Sequence, residues 1–354
     1  MVIKGRGATG NPASRFLARH SEAEADGWAA DDEEVGNVMR VATQLFPDRT
    51  RRLITRNDSP DIPFDRSINP YKGCEHGCVY CFARPTHAYL DLSPGLDFET
   101  RIFYKTDVRE SLLAELGKPG YQCAPIAMGT NTDPYQPAER SQRITRTVLE
   151  VLLAHNHPVT LVTKGQLILR DLDLLTELAR RELVSVAVSL TTLSRDLKTR
   201  LEPRTASPSA RLNVVRTLAA AGVPTAVMVA PVIPFLNDHE IEALVAAAAK
   251  AGACGANYIL LRLPLEVNAL FRGWLDVHYP HKAERVMSAV RACRGGKAYD
   301  ATWGKRMRGD GPVADLIARR FALAVRQHGL SREHRPVLRS DLFVAPGTSQ
   351  LNLF

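Results

Sequence analysis

The feature that most constrains the fold is a repeated pairing of a short apolar run with an amphipathic helical segment, which begins near residue 67. Six runs are predicted to be strands, at residues 67–73, 125–130, 159–164, 184–190, 225–231 and 258–263. Helical periodicity follows at residues 140–155, 172–181, 208–221 and 238–251. Consecutive βα units predict parallel strands joined by right-handed crossovers. We therefore expect an α/β fold, a partial (β/α)6 barrel of the TIM type.

The chain divides into four parts around this repeat. Residues 1–58 are rich in Gly and Arg and then in acidic residues, which predicts a partly ordered N-terminal extension. Residues 59–264 form the expected barrel. Residues 265–335 form a basic extension with a helix predicted at 313–327, and residues 336–354 are expected to be an exposed tail.

Composition indicates an ordinary globular protein. Hydrophobic residues make up 45% of the chain and charged residues 24%, and the apolar runs are shorter than the roughly 18 residues of a membrane span. The first residues lack the apolar segment of a secretory signal, so we expect a cytoplasmic protein without membrane association. The net charge is +8, and residues 291–340 alone carry 12 Lys and Arg against 4 Asp and Glu. Such a segment can bind nucleic-acid phosphates or can be a solvated face.

Three of the six cysteines lie within the eight residues CEHGCVYC, at Cys74, Cys78 and Cys81. This clustering predicts a metal site and not a set of disulfides. Three thiolates can each bind one iron of a cubane cluster and leave the fourth iron open to a small molecule. The alternative is a zinc site formed by the three cysteines and His76, although the spacing is tighter than in usual zinc sites.

A CxxxCxxC loop after the first strand of a βα barrel resembles the radical S-adenosylmethionine (SAM) superfamily. Residues 59–103 resemble its branch related to spore photoproduct lyase, often labelled DNA repair photolyase-like, and the resemblance extends over residues 55–335. It implies that Cys74, Cys78 and Cys81 hold a 4Fe-4S cluster whose open iron binds SAM. It also implies cleavage of SAM to methionine and a 5′-deoxyadenosyl radical, with an electron from a donor such as flavodoxin or ferredoxin.

Polar residues near the C-terminal ends of the strands are the candidate cofactor ligands, because active sites of βα barrels lie there. The candidates there are Gly129, Thr130, Asp133, Lys164, Ser189, Glu202, Arg204 and Arg262, and the family resemblance adds Tyr80, between the second and third cysteines. The resemblance implies that Tyr80 lies beside the adenine and that the turn of residues 129–133 contacts the methionine amino group. Asp-Pro in that turn is also a plain turn signal, and Tyr80 can equally pack against the barrel.

The remaining candidates follow from charge and hydrogen bonding. Lys164 can pair with the ligand carboxylate, and the Ser189 hydroxyl suits the ribose. Glu202 and Arg204 can bind the ribose or pair with each other as a surface salt bridge. Arg262 at the end of the sixth strand is expected to have an anion or an acidic side chain as its partner.

Two positions depart from the photoproduct lyase pattern. Those lyases carry a tyrosine after the third cysteine and a hydrogen-donating cysteine near the second strand. Here Phe82 follows Cys81, and the second strand offers residues 128–130 without a thiol, with Cys123 only at its start. A phenyl ring cannot relay a hydrogen atom as a phenol or thiol does. We therefore do not expect the thymine-dimer reaction of those lyases.

The chain ends in QLNLF, which resembles the peptide that binds the bacterial replicative sliding clamp. The resemblance implies a peptide-in-groove contact through Gln350, Leu351, Leu353 and Phe354. The alternative is that Leu353 and Phe354 fold back onto the body of the protein.

These features predict a radical SAM enzyme that acts on nucleic acid, in DNA repair or modification. A second hypothesis keeps the radical chemistry but assigns it a protein or small-molecule substrate. A third makes the cysteine loop a zinc staple in a non-enzymatic adaptor that binds DNA and the clamp.

Overall fold

The computed structural model describes residues 3–16, 41–50, 52–331 and 336–347. Strands β1 to β10 are Gln44–Asp48, Ile54–Arg56, Arg66–Ile68, Tyr71–Lys72, Arg101–Lys105, Ile126–Met128, Val159–Thr163, Val184–Ser189, Thr225–Val232 and Gly255–Leu260. Helices α1 to α11 are Leu96–Thr100, Val108–Leu116, Glu139–Gln142, Ile144–Ala154, Leu172–Arg180, Arg195–Leu201, Pro208–Ala220, Ile241–Lys250, Glu266–His278, Pro280–Ala292 and Gly311–Gln327. Short 3-10 helices are Arg84–Leu90, Gln166–Asp171 and Asp238–Glu240.

The main sheet has seven strands in the order β10-β9-β8-β7-β6-β3-β2. Strands β3, β6, β7, β8, β9 and β10 pair in parallel, each with the next in the chain among these six. Strand β2 adds to the edge in the antiparallel direction. The sheet therefore has two edges, at β2 and β10. The prediction of six parallel strands in a partial barrel is confirmed.

The helices between these strands form because apolar residues recur on their buried faces, and α6 and α7 also begin at a serine cap. Ser207 caps α7 by accepting a hydrogen bond from Ala210 N at 3.2 Å, and Pro208 occupies the first turn, where a missing N–H costs nothing. Ser194 caps α6 in the same way through Leu197 N. Side chains from the sheet and most of these helices form a large apolar core, whereas α6 packs into a second, smaller apolar cluster with α9 and α10.

The first predicted strand, residues 67–73, is wrong in its second half. The barrel strand β3 ends at Ile68, and β4 pairs instead with β5 in a separate sheet of order β1-β5-β4. Pro70 has no N–H for a sheet, and the Asn69 side chain turns towards the loop after β6, where its Oδ1 accepts from Asn131 N at 3.0 Å. The chain therefore leaves the barrel at this point, just before the cysteines.

A loop of residues 302–309 joins the two edges of the sheet. Leu260 N, at the end of β10, donates to Met307 O at 2.9 Å. Gly304 N donates to Asp61 Oδ1 at 2.6 Å, in the segment that follows β2. We call residues 302–309 the closing loop, because they bridge the open side of the partial barrel.

Among the described residues, no helix is both long and apolar enough to cross a membrane.

Candidate functional site

The cysteine loop, residues 74–81, follows β4 and lies at the C-terminal side of the barrel. Backbone hydrogen bonds hold both of its halves. Cys74 N donates to Phe98 O at 2.8 Å, and Val79 N donates to Leu201 O at 3.2 Å. The loop therefore has contacts to segments that are distant in sequence and is not held by its own turns alone.

All six cysteines are free thiols, and in the loop Cys74 and Cys78 are buried whereas Cys81 is half-buried. Burial raises the pKa of the Cys74 thiol well above its usual range, and the nearby Asp133 adds to the effect. Burial, with Glu202, raises the pKa of Cys78 to about 12. Without a cation these thiols are neutral, and metal cations favour the thiolate form that ligates them.

These residues do not fit a single zinc ion. Within the described ranges, no group of three or more His, Cys, Asp or Glu side chains is arranged to hold one metal ion. His76, the expected fourth zinc ligand, has its Nδ1 atom 3.2 Å from Asp133 Oδ2, without an aligned hydrogen bond. Three free thiols on one loop fit a cubane, since each thiolate there binds a different iron atom and the ligands need not converge.

An N-terminal segment that sequence reasoning missed lies against this loop. We call residues 3–16 the strap. The Glu99 carboxylate, which is wholly buried, accepts from Gly7 N at 3.0 Å and from Ala8 N at 2.8 Å. The approach is close, because a Cβ built on Gly7 would lie 1.7 Å from the Gly77 carbonyl oxygen. The strap therefore packs directly on the backbone of the cysteine loop.

The same Glu99 carboxylate pairs with Arg84, which is also wholly buried. Arg84 Nε in turn donates to the Cys78 carbonyl at 2.9 Å. A continuous chain of polar contacts therefore connects the strap to the second cysteine. The only feature of the sequence that indicates this contact is the run GRGATGNP, because clustered glycines permit two backbone segments to approach closely.

A second acid, Glu75 of the cysteine loop, is connected to two arginines, to Arg6 of the strap through Thr43 and to Arg204 directly. Arg6 Nη2 donates to Thr43 Oγ1 at 3.0 Å, and the Thr43 hydroxyl donates to Glu75 Oε1 at 2.7 Å. Arg204 forms an ion pair with the same oxygen at 3.2 Å. The alternative in which Arg204 pairs with Glu202 is therefore wrong, because Glu75 on the cysteine loop is its partner.

Glu202 instead pairs with Arg211, and both side chains are buried. Its carboxylate also accepts hydrogen bonds from Tyr80 and from Thr191, the latter at 2.6 Å. Burial alone would raise the pKa of Glu202, but Arg211 and Lys164 outweigh it and lower the pKa to about 2. Glu202 is thus a charged and fully satisfied group that fixes the Tyr80 ring, and it has no exposed atom for a ribose.

Lys164 and Ser189 lie at the ends of β7 and β8, next to this group. Lys164 Nζ is 5.9 Å from the centroid of the Tyr80 ring. Burial would lower the pKa of Lys164, but nearby acidic groups, Glu202 and Asp133 among them, raise it, so the ammonium remains charged. Ser189 Oγ donates to Ala230 O at 3.2 Å. Lys164, just after β7, therefore lies next to Tyr80 of the cysteine loop.

The turn of residues 129–133 is tightly packed. Gly129 has φ +86°, and a Cβ there would lie 2.0 Å from the Val162 carbonyl oxygen, so the neighbouring strand requires a glycine. Thr130 Oγ1 donates to Asn69 Oδ1 at 3.3 Å. Asn69, which we had not selected, therefore positions this turn.

Asp133 links this turn to β7. It accepts from Thr163 Oγ1 and from Lys164 N, both at 2.7 Å. Burial alone would raise its pKa, but His76, Thr163 and the Lys164 backbone lower it to about 2. Asp133 thus has partners on the cysteine loop and on the next strand, and it holds the two together.

Arg262 has a different environment from the one predicted. Within the described residues it forms no ion pair with a carboxylate; its Nη1 donates to Met307 Sδ at 2.9 Å. Its guanidinium carbon lies 4.5 Å from the centroid of the Phe82 ring. The expectation of an acidic side-chain partner is wrong, because the acid in its vicinity, Asp61, is paired with Arg306.

Comparison with known proteins gives relatives over most of the chain. An uncharacterized protein of Mycobacterium tuberculosis is 37% identical over 282 residues, which cover 78% of each chain. An uncharacterized protein of Methanocaldococcus jannaschii is 26% identical over 219 residues, or 62% of this chain and 78% of that one.

Among solved structures, spore photoproduct lyase complexed with dinucleoside spore photoproduct matches with a TM-score of 0.59 at 17% identity. The match covers 80% of this chain and 79% of that one, and at this identity it establishes a shared fold. The family model of the radical SAM superfamily matches residues 68–248, just over half of the chain. The chain therefore belongs to the radical SAM superfamily and is an enzyme whose cofactors are a 4Fe-4S cluster and SAM.

Proposed function

We propose that this radical SAM enzyme acts on nucleic acid, in DNA repair or modification. The observation that carries the proposal is the extent of its likeness to spore photoproduct lyase. That likeness covers 80% of the chain, whereas the superfamily model covers residues 68–248 only, so it includes segments outside the common core. The matched lyase was solved with a dinucleoside lesion, which supports a nucleic-acid substrate here.

Cys74, Cys78 and Cys81 are the proposed cluster ligands. When bound, the cluster and SAM supply a 5′-deoxyadenosyl radical. The protein contributes a loop whose conformation is held through Glu99 and Arg84. An external reductant such as flavodoxin or ferredoxin is the proposed electron source, and the cytoplasm is the proposed location.

The proposed SAM-binding residues differ in what they can offer. Lys164 carries a partly buried ammonium that can receive the ligand carboxylate, and the Tyr80 ring beside it can contact the adenine. The backbone of the turn that contains Gly129, Thr130 and Asp133 is proposed to meet the methionine amino group. Ser189 and Arg204 retain their proposed role at the ribose. Glu202 acts indirectly, because it holds Tyr80 in place.

The reaction of spore photoproduct lyase is not proposed for this chain. Phe82 follows the third cysteine and has no transferable hydrogen on a heteroatom. Cys123 precedes β6 and is half-buried near Arg66, at the N-terminal end of the barrel strands, whereas the cysteine loop follows their C-terminal ends. A different hydrogen donor, or a different bond, is therefore required.

One observation favours a second candidate, in which the substrate is a protein or a small molecule. Much of the basic charge in residues 291–340 is engaged within the protein. Five of its cations form ion pairs with acids: Arg291 with Glu284, Lys305 with Asp310, Arg306 with Asp61, Arg320 with Glu242 and Arg339 with Asp341. Fewer cations are thus available to phosphates than the sequence count predicted.

Anaerobic reconstitution tests both candidates. The reconstituted enzyme would be incubated with SAM and deuterated DNA carrying defined lesions, and with a deuterated cell extract from which nucleic acid has been digested. Deuterium in 5′-deoxyadenosine from the DNA arm supports the proposal. Deuterium from the digested extract alone would support the second candidate and overturn the first.

A further inference from the structure

Arg262 is distinguished by what surrounds its guanidinium group. It follows β10, at the C-terminal edge of the barrel, and it lies between the closing loop and the residue that follows the third cysteine. Met307 accepts from Nη1 through sulfur, a weak acceptor, and the Phe82 ring lies on one side at 4.5 Å. Its Nε atom is buried and has no hydrogen-bond partner among the described residues.

Two other arginines lie nearby, and both are satisfied. Arg294 donates to four backbone carbonyls, those of Leu260, Leu261, Lys305 and Arg306. Arg306 pairs with Asp61. Burial lowers the pKa of Arg262, and these two like charges lower it further. Of these three guanidinium groups, Arg262 is the one that lacks an oxygen acceptor within the described residues.

This position is separate from the group around Lys164. Lys164 follows β7 and Arg262 follows β10, and β8 and β9 lie between them in the sheet. Three interstrand spacings amount to about 14 Å along the sheet. Lys164 lies beside the Tyr80 ring whereas Arg262 lies against the Phe82 ring, so we assign the anion expected at Arg262 to another molecule or another part of the ligand.

We propose that Arg262 binds a phosphate of a nucleic-acid strand and that a base next to this phosphate stacks on the exposed face of Phe82. This proposal rests on the proposed function and assigns Arg262 to the substrate instead of to SAM. Phe82 is 44% exposed although it adjoins a buried loop, so one face of its ring is available. Proteins that bind single-stranded nucleic acid commonly combine arginine with an aromatic side chain. The guanidinium binds a phosphate, and a base stacks on the aromatic ring.

The test compares Arg262→Gln and Arg262→Lys with wild type as reconstituted holoenzymes. The probe is a fluorescein-labelled single-stranded oligodeoxynucleotide, and an acidic peptide of equal charge is the comparison ligand. SAM affinity is measured in parallel. Arg320→Gln is the matched control, because Arg320 pairs with Glu242 on the outer helices.

We expect Arg262→Gln to weaken oligonucleotide binding roughly tenfold and to reduce the slope of log affinity against log salt by about one. SAM affinity and the Arg320→Gln control should match wild type. Arg262→Lys should keep the salt slope and lose less affinity, because it retains the charge but not the planar fork.

Unchanged oligonucleotide binding by Arg262→Gln, with wild type binding normally, would overturn this assignment and leave the proposed function intact. A loss of SAM affinity alone, or tighter binding of the acidic peptide than of the oligonucleotide, would also overturn it. Failure of wild type to bind any oligonucleotide would refute the proposed function as well. Circular dichroism checks folding, and if the Gln variant does not fold, unchanged affinity of the Lys variant decides against the proposal.

Discussion

Arg84 and Glu99 form an ion pair in which both side chains are wholly buried, and it connects the N-terminal strap to the cysteine loop. Glu99 accepts backbone N–H groups of the strap, and Arg84 donates to the Cys78 carbonyl. A buried ion pair whose polar atoms are all hydrogen-bonded costs the folded protein little stability. Removal of one member destabilises the protein, because the other charge stays buried without a counter-ion. The integrity of the cysteine loop should therefore depend on this pair.

Glu99→Gln should destabilise the protein by about 3–5 kcal/mol, because the Arg84 charge stays buried without a counter-ion. Urea unfolding of the apoprotein measures this. Iron and sulfide content after reconstitution should fall in parallel. Glu177→Gln is the control, since Glu177 pairs with Arg181 on the surface and its loss should leave the midpoint unchanged. Equal midpoints for the two variants would show that the pair does not support the loop.

Gly7→Ala should displace the strap, because the added Cβ would lie 1.7 Å from the Gly77 carbonyl. We expect the variant to lose the cluster faster in air than wild type does. The decay of the visible absorbance of the cluster measures this rate. Gly10→Ala is the matched control in the same segment, where a Cβ meets nothing within 4 Å. If both variants lose the cluster at the wild-type rate, the strap does not protect the loop.

Acid should destabilise the protein through Glu202 and Asp133. The folded-state pKa of each is lowered to about 2, below the ordinary values of 4.5 and 3.8. Their stabilisation is therefore fully present above the unfolded pKa and is lost as pH falls from about 4.5 to about 2. Urea midpoints of apoprotein measured across this range should fall less steeply for Glu202→Gln than for wild type. Parallel curves would contradict this assignment.

Cys78→Ala should abolish cluster binding and production of 5′-deoxyadenosine while the barrel stays folded. Cys78 lies outside the large apolar core and belongs to the second cluster, and its change to Ala removes only one sulfur atom, so the core of the barrel is unaffected. Iron analysis, chromatography of the nucleoside product and circular dichroism measure the three effects. Cys254→Ala is the control, because this half-buried thiol lies before β10 and away from the loop. Wild-type product formation by Cys78→Ala would rule out its role as a ligand.

Deletion of residues 350–354 should remove binding to a purified replicative clamp and leave SAM cleavage intact. This segment lies outside the described residues, so the expectation rests on the QLNLF pattern alone. A pull-down with the full-length and truncated proteins measures the difference. The prediction is wrong if both proteins bind the clamp equally, or if neither does.

Local patterns in the sequence determined the framework of this protein. A side-chain period of two marks the strands and a period of 3.6 marks the helices, so the order of six parallel strands followed from residues that are close together in the chain. The spacing of Cys74, Cys78 and Cys81 is likewise local, and it indicated a cluster enzyme. Polar residues at strand ends were expected to lie near the cysteine loop, and Lys164 lies next to Tyr80 of that loop.

Only the tertiary structure decided which charged groups become partners. Gly7 and Glu99 are 92 residues apart, and nothing in the local sequence of either indicates their contact. Arg204 pairs with Glu75, Arg211 pairs with Glu202, and Arg262 has no acidic partner in the part of the chain that the structure describes. Long side chains reach any group within several ångströms, so their pairing depends on how distant segments pack and not on periodicity. The contact of the strap with the cysteine loop and the position of the Arg262 guanidinium beside Phe82 are consequences of that packing.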